Sequence, residues 1–257
     1  MKTLIAIFLS LLLPCYLQAK GLTRVFTEDQ WTNPNYISVP NGLVGYWPFN
    51  EGVGSTTADL SGFGATGTLT GCSWGTSTNA ESLYFDGVDD RVTIVNQTWY
   101  SFGTETSFGF GGWKYTNAYK GNYDTCFSNC DTGLSSSIGF LLIAGNSSYY
   151  CSVRQGTGTA ALTTFTSTPS SYLGRWVCLF AVVDRNTQTL KAYLNGNLVE
   201  TKSLSIGAGS VITTNNLLFG KSSVGSSNYL KGFLDNIRIY NRALSAAEVQ
   251  TLYYLKQ

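Results

Sequence analysis

The chain has 257 residues, which suits one large domain with a short appendage. Sixteen basic residues nearly balance fifteen acidic ones and form no basic patch, which argues against a nucleic-acid partner. The absence of histidine rules out a Ser-His-Asp triad, and 28 glycines, 5 prolines and 14% aromatic residues compose an all-β chain with many turns.

Residues 1–19 read as an export signal. Lys2 gives the positive start, residues 4–13 give an apolar core too short to span a membrane comfortably, and cleavage is expected after Ala19. Lipid attachment at Cys15 and an uncleaved anchor are the alternatives. Residues 20–41 form a connecting segment broken by Pro34 and Pro40, and one domain is expected over 42–257.

From residue 42 short apolar runs alternate with Gly, Ser, Asn and Thr. Strands are expected over 43–49, 82–85, 91–95 and 106–115, the last carrying glycines that relax it or admit another backbone. A hairpin over 138–144 and 149–154 turns at Gly145-Asn146, and another strand covers 160–165. Residues 175–184 are strongly apolar and read as a central strand. The clearest hairpin joins 189–195 to 197–202 at Asn195-Gly196, a dipeptide that tolerates positive φ at both turn centres. Strands over 217–220 and 232–240 complete the set. Ser245 then caps a helix, Glu248 reciprocates, and Val249, Leu252 and Tyr253 share one face. The sum is an all-β, two-sheet antiparallel jelly-roll sandwich with a short C-terminal helix.

Three features carry chemistry. Alternation along 232–240 puts Phe233, Asp235, Ile237 and Ile239 on one face, and Leu234, Asn236, Arg238 and Tyr240 on the other. A carboxylate on the apolar face must be paired, hydrogen-bonded or metal-bound. Asp86, Asp89 and Asp90 surround a glycine turn and read as turn caps rather than a cation site. Beyond the signal lie Cys72, Cys126, Cys130, Cys151 and Cys178, an odd number, so at least one thiol is not bridged within the chain. A disulfide clipping Cys126 to Cys130 and a set of buried thiols are both open.

Several stretches in order resemble the laminin-G-like, concanavalin A-like lectin-glucanase jelly-roll domains. They are GLVGYWPF from Gly42, the loop around Asp59-Leu60-Ser61-Gly62, the strand Thr66-Gly67-Thr68-Leu69, YFDGVDD from Tyr84, LKAYLNG from Leu190 and IRIYNRALS from Ile237. The resemblance covers 42–254. Asn50, Cys178 and Asn236 depart from it, and residues 115–137 look like an insertion. It implies a calcium tying the loop after the first strand to the last strand. Asp59 and Asp235 would be ligands, with backbone oxygens near Gly62 or Gly64. The alternative is a carboxylate accepting backbone N–H bonds.

Functionally, the resemblance implies a secreted, non-catalytic, lectin-like carbohydrate-binding module. An extracellular structural or adhesive protein that binds other proteins is the alternative. A polysaccharide lyase or hydrolase comes third, because the chain lacks the Glu-x-Asp-x-(x)-Glu run of the endo-glucanases on this fold. Sugars stack on aromatic faces, and Trp74, Trp99, Tyr100, Tyr115, Tyr119, Tyr123, Tyr149 and Tyr150 lie in or near expected loops and strand ends. Of these, Trp74, Trp99, Tyr100, Tyr119 and Tyr149 are the candidate ligand-binding residues. Trp47, Trp113 and Trp176 lie inside strong strands and read as packing residues.

Overall fold

A computed structural model describes residues 40–77, 80–130, 138–155, 160–204, 210–222 and 228–255. The expected export signal and residues 20–39 of the connecting segment lie outside these. The described chain forms two antiparallel sheets, a jelly-roll sandwich with one helix near its C-terminal end.

The first sheet runs β14 (Asn197–Ser203), β13 (Thr189–Leu194), β12 (Trp176–Asp184), β7 (Phe108–Tyr115), β16 (Lys231–Tyr240), β5 (Ala80–Asp86) and β4 (Ser73–Ser77). β1 (Leu43–Trp47) pairs with the second half of β16, and β5 pairs with its first half. The second sheet runs β11 (Ala160–Thr166), β10 (Tyr149–Gln155), β9 (Ile138–Ala144), β8 (Thr125–Ser128), β15 (Leu217–Phe219), β6 (Arg91–Ile94), β3 (Gly67–Thr70) and β2 (Thr56–Thr57). The two expected hairpins form as the turn residues predict, with Asn195 and Gly196 at φ 50° and 78°. Strand β8 was not expected. It lies in the stretch that looked like an insertion, and all four of its residues are buried, so it lacks the alternation that marks a strand.

Aromatic rings fill the space between the sheets. Phe110 sits 4.8 Å from Phe140 and 5.5 Å from Phe127, and buried Trp47 donates its indole N–H to the carbonyl of Ala65. The helix α1 (Ala246–Tyr254) starts with the expected capping box between Ser245 and Glu248. Its buried Val249 and Leu252 pack with Phe180, Val182, Tyr193 and Tyr240 on the outer face of the first sheet. The helix therefore covers part of that outer face.

Strand β16 corrects one expectation. Asp235 opposes Trp113 and Arg238 opposes Gly111, so β16 carries one extra residue, and Asn236 takes φ 53°. The bulge resets the alternation. Leu234, Ile237 and Ile239 all enter the main core, whereas Phe233 and Asp235 turn to the outer face. Asp235 does not share a face with Ile237 and Ile239. Opposite the bulge the backbone leaves no room: a Cβ on Gly112 would lie 2.4 Å from Ile237 Cδ1 and 3.0 Å from its Cα. That is the close approach the glycines of this strand were expected to permit.

The cysteines divide between clusters. Cys126 points into the main core, whereas Cys130 packs with Leu141 and Ile143 in a separate cluster. The two are not bridged in this structure, and their different surroundings favour the buried-thiol reading of the two that the sequence leaves open. Burial pushes the Cys126 thiol up to about 12, which keeps it protonated and unreactive.

Several charged residues are buried among the described ones, and Lys114 is the one that reaches between the sheets. Lys114 on β7 is 2% exposed, donates from Nζ to the Ala144 carbonyl at 2.6 Å, and lies under the rings of Tyr119 and Tyr149. Burial lowers its pKa from 10.5 to about 8. Below pH 8 the fold must keep a buried ammonium, and between about 8 and 10.5 the unfolded chain binds more protons, so this contribution to stability rises with pH. Lys114→Met should thus be more stable than the parent at pH 7, by up to about 3 kcal/mol. The difference between the two proteins should shrink as pH rises from 8 to 10.5, which urea melts at each pH would measure.

Candidate functional site

Asp59 lies in the loop after β1 and is held by backbone. Its Oδ1 accepts from the N–H of Tyr46 and of Ser61, each at 2.9 Å, and its Oδ2 accepts from the N–H of Ala65 at 3.0 Å. Tyr46 continues the link, donating its hydroxyl to Asn236 Oδ1 at 2.8 Å. Asn236 in turn donates from Nδ2 to Asp235 Oδ1 at 2.9 Å. The Arg238 guanidinium stacks 4.2 Å from the Tyr46 ring centre and donates to the same Asn236 oxygen. Burial raises the Tyr46 pKa against the opposing pull of Arg238, which keeps the phenol a donor. The loop at Asp59 and the last strand at Asp235 are thus joined through one tyrosine and one asparagine. Three N–H groups aim their positive ends at Asp59, so in this structure it serves as a hydrogen-bond acceptor.

In the acidic turn, side chains cap the backbone. Asp90 Oδ2 accepts from the N–H of Asp86 at 2.7 Å, and Asp86 Oδ1 accepts from the N–H of Val88 at 2.6 Å. The three carboxylates of Asp86, Asp89 and Asp90 lie within 4.8 Å of one another. Their proximity and burial raise the Asp90 pKa, burial being the larger cause.

The sequence-predicted ligand residues do not form one site. Tyr100 is fully buried and donates to the Val95 carbonyl, and Tyr149 is 1% exposed. Both are core residues that a ligand ring cannot stack on. Tyr119 is half-buried, donates to the Pro169 carbonyl and so receives the Tyr149 hydroxyl proton at 2.6 Å. Together these two tyrosines roof Lys114. Trp74 and Trp99 are half-buried against the core, Trp74 donating to the Gly54 carbonyl and Trp99 lying 5.5 Å from exposed Phe63.

Exposed aromatic surface gathers elsewhere. On the outer face of the first sheet Tyr84 opposes Phe233, Phe233 opposes Tyr115, and Tyr115 opposes Trp176. These rings cross four adjacent strands with centroids 4.9, 6.0 and 5.7 Å apart and planes inclined by 51°, 70° and 51°. All four are partly exposed. The Tyr115 hydroxyl donates to Asn117 Oδ1, and the Trp176 indole N–H donates to the Ser77 carbonyl. Trp176 packs on Tyr115 but is only half-buried, so it is less enclosed than a packing residue inside a strong strand is expected to be. Next to it Trp113 is the packing tryptophan, 5% exposed and stacked on Tyr253 of α1.

A sequence profile of the concanavalin A-like lectin/glucanases superfamily matches residues 86–250. Curated botulinum neurotoxin type E sequences from Clostridium butyricum and Clostridium botulinum are each 30% identical over 84 residues, 33% of this chain and 6% of theirs. Among solved structures, the binding domain of Paraclostridial Mosquitocidal Protein 1 superposes with TM-score 0.69 at 16% identity, over 85% of this chain and 53% of that one. The botulinum neurotoxin serotype G binding domain gives TM-score 0.65 at 18% identity, over 83% and 51%. A serotype D ligand-binding domain in complex with N-acetylneuraminic acid gives TM-score 0.65 at 16% identity, over 84% and 51%. The chain thus spans about half the length of these solved chains and a small part of the curated toxins. At such identities the likeness establishes the fold.

The hydrogen-bonded link sets an expectation for stability. Asp59→Asn replaces one acceptor oxygen by a donor facing N–H groups and should cost about 2–3 kcal/mol. Tyr46→Phe removes only the hydroxyl link to Asn236 and should cost about 1 kcal/mol. Denaturant midpoints of the two variants, measured together, would check the order.

Proposed function

Since the chain belongs to the concanavalin A-like lectin/glucanases superfamily, we propose that it is a secreted, non-catalytic binding module whose ligand is carbohydrate. The observation that carries this reading is the row of partly exposed rings at Tyr84, Phe233, Tyr115 and Trp176. Ring faces of this kind offer a sugar the apolar surface on which its C–H face rests, and hydroxyls and carboxylates beside them supply hydrogen bonds. A fold relative with N-acetylneuraminic acid bound supports a sugar ligand on this architecture. Catalysis would need two carboxylates flanking a bond. Asp59 is engaged by backbone and Asp235 is 3% exposed, and neither is presented for that role.

A glycan array probed with the domain from residue 42 should show binders among neutral or sialylated glycans. A blank array, with binding to extracellular proteins instead, would replace this reading by the adhesive one.

We also propose that the tie between Asp59 and Asp235 holds through Tyr46 and Asn236, with a calcium ion at the two carboxylates as the competing account. A ligand that binds only the folded state stabilises it, so chelator would lower the melting temperature of a calcium-bound protein. The hydrogen-bonded tie predicts superimposable melts with chelator and with added calcium. A clear fall in chelator, restored by calcium and absent from Asp235→Asn, would establish the metal.

A further inference from the structure

Two asparagines in the chain precede a glycine, Asn41 and Asn195, and the fold surrounds them differently. An Asn–Gly pair carries its own chemistry. The glycine nitrogen can attack the asparagine side-chain carbonyl, because no side chain on the glycine obstructs the approach. Asn195 is held against that attack. Its Oδ1 accepts from the Cys178 N–H at 2.9 Å, and its own N–H donates to the Cys178 carbonyl at 2.9 Å. The following Gly196 is packed against α1, where a Cβ would lie 3.0 Å from Tyr253 Cβ and 3.3 Å from Gln250 Cα. Closing a ring there would pull the β13–β14 turn off both β12 and the helix. Asn41 stands free of such restraint. It is exposed, and among the described residues only its main-chain carbonyl is engaged, by Arg242 Nε at 3.0 Å.

We propose that Asn41–Gly42 is a site of spontaneous modification, where the side-chain amide is lost and a carboxylate forms beside Arg242. The Gly42 nitrogen gives up its proton and bonds to Asn41 Cγ. The Cγ–Nδ2 bond breaks, and the side-chain nitrogen leaves as ammonia with that proton. What remains is a five-membered cyclic imide. Water opens it at either carbonyl, giving aspartate or isoaspartate, so one water is consumed, one ammonia is released and nothing is oxidised. When water adds at the former main-chain carbonyl, that carbon becomes a free carboxylate and the chain runs on through Cβ and Cγ. This is the carbonyl that Arg242 holds. The isoaspartate carboxylate therefore forms within reach of the guanidinium and turns a hydrogen bond to a neutral acceptor into a charge-assisted one. Arg242 is also bound through two nitrogens to Glu248, so two carboxylates then share one guanidinium at the start of α1. The proposal is independent of the carbohydrate reading.

Ageing the purified protein in mildly alkaline buffer tests this, with peptide mass spectrometry for the amide-to-acid change and enzymatic methyl labelling for isoaspartate. In the folded protein Asn41 should convert several times faster than Asn195. In urea, where the fold restrains neither, the two should convert at matching rates, which makes Asn195 an internal reference. An acidic band should accumulate on isoelectric focusing of the parent. Asn41→Gln, whose longer side chain does not close the five-membered ring, should melt as the parent does and form no such band over the same interval. Gly42→Ala is the poorer control, because Gly42 takes φ 81° and a Cβ would lie 2.9 Å from Asn241 Oδ1. A crystal structure of the aged protein should show the isoaspartate carboxylate on Arg242 Nε. Conversion of Asn41 no faster than that of Asn195 in the folded protein, or an acidic band that persists in Asn41→Gln, would overturn the site. An isoaspartate carboxylate directed away from Arg242 would overturn its placement.

Discussion

The single extra residue in β16 is the constraint on which the rest of the structure depends. Asn236 at φ 53° lets the strand keep its hydrogen bonds to β7 on both sides of the bulge while changing which side chains face the core. Without it, Asp235 would be driven between the sheets with Ile237 and Ile239, at the cost of burying a charge in hydrocarbon. With it, Asp235 lies on the outer face beside Trp113, and Phe233 takes its place among Tyr84, Tyr115 and Trp176. The same asparagine side chain receives Tyr46 and Arg238 and donates to Asp235. One residue therefore sets the register, the link to the Asp59 loop and the exposure of the aromatic row.

The two faces of the first sheet consequently have different work. Its inner face is core throughout, including the Lys114 ammonium that reaches across to the Ala144 carbonyl of the second sheet. Its outer face is shared between α1, which seals Phe180, Val182 and Tyr240, and the row of rings left beside it. The bidentate pairing of Arg242 with Glu248, together with the capping box, holds the helix on this face and keeps the Glu248 carboxyl at about 2. The helix thus covers Phe180, Val182, Tyr193 and Tyr240 and borders the row of rings where Tyr253 stacks on Trp113.

Much of the architecture was readable because local rules and tertiary structure agree here. Asn195-Gly196 demanded a tight hairpin, Ser245 and Glu248 demanded a helix start, and the resemblance supplied the strand at Gly67–Thr70. The strand β8 was not readable, because its buried positions give no period. The bulge was also hidden: asparagine tolerates positive φ, but only the pairing with Gly111 and Gly112 shows that it is used. That hidden residue misplaced Asp235. For the ligand residues, proximity to loops misled. Tyr100 and Tyr149 follow polar stretches yet point inward, whereas Trp176, in a strong strand, lies on the outer face beside Tyr115. Cross-strand register, which a single sequence does not contain, decides which rings line up.

Sugar binding is proposed for the rings of β5, β16, β7 and β12. A crystal structure of the domain from residue 42 with a neutral hexasaccharide of the bound class tests it most directly. Sugar rings resting in sequence on Tyr84, Phe233, Tyr115 and Trp176 are the predicted result. A sugar held instead at the loops around Trp74 and Trp99, with the row bare, would contradict it.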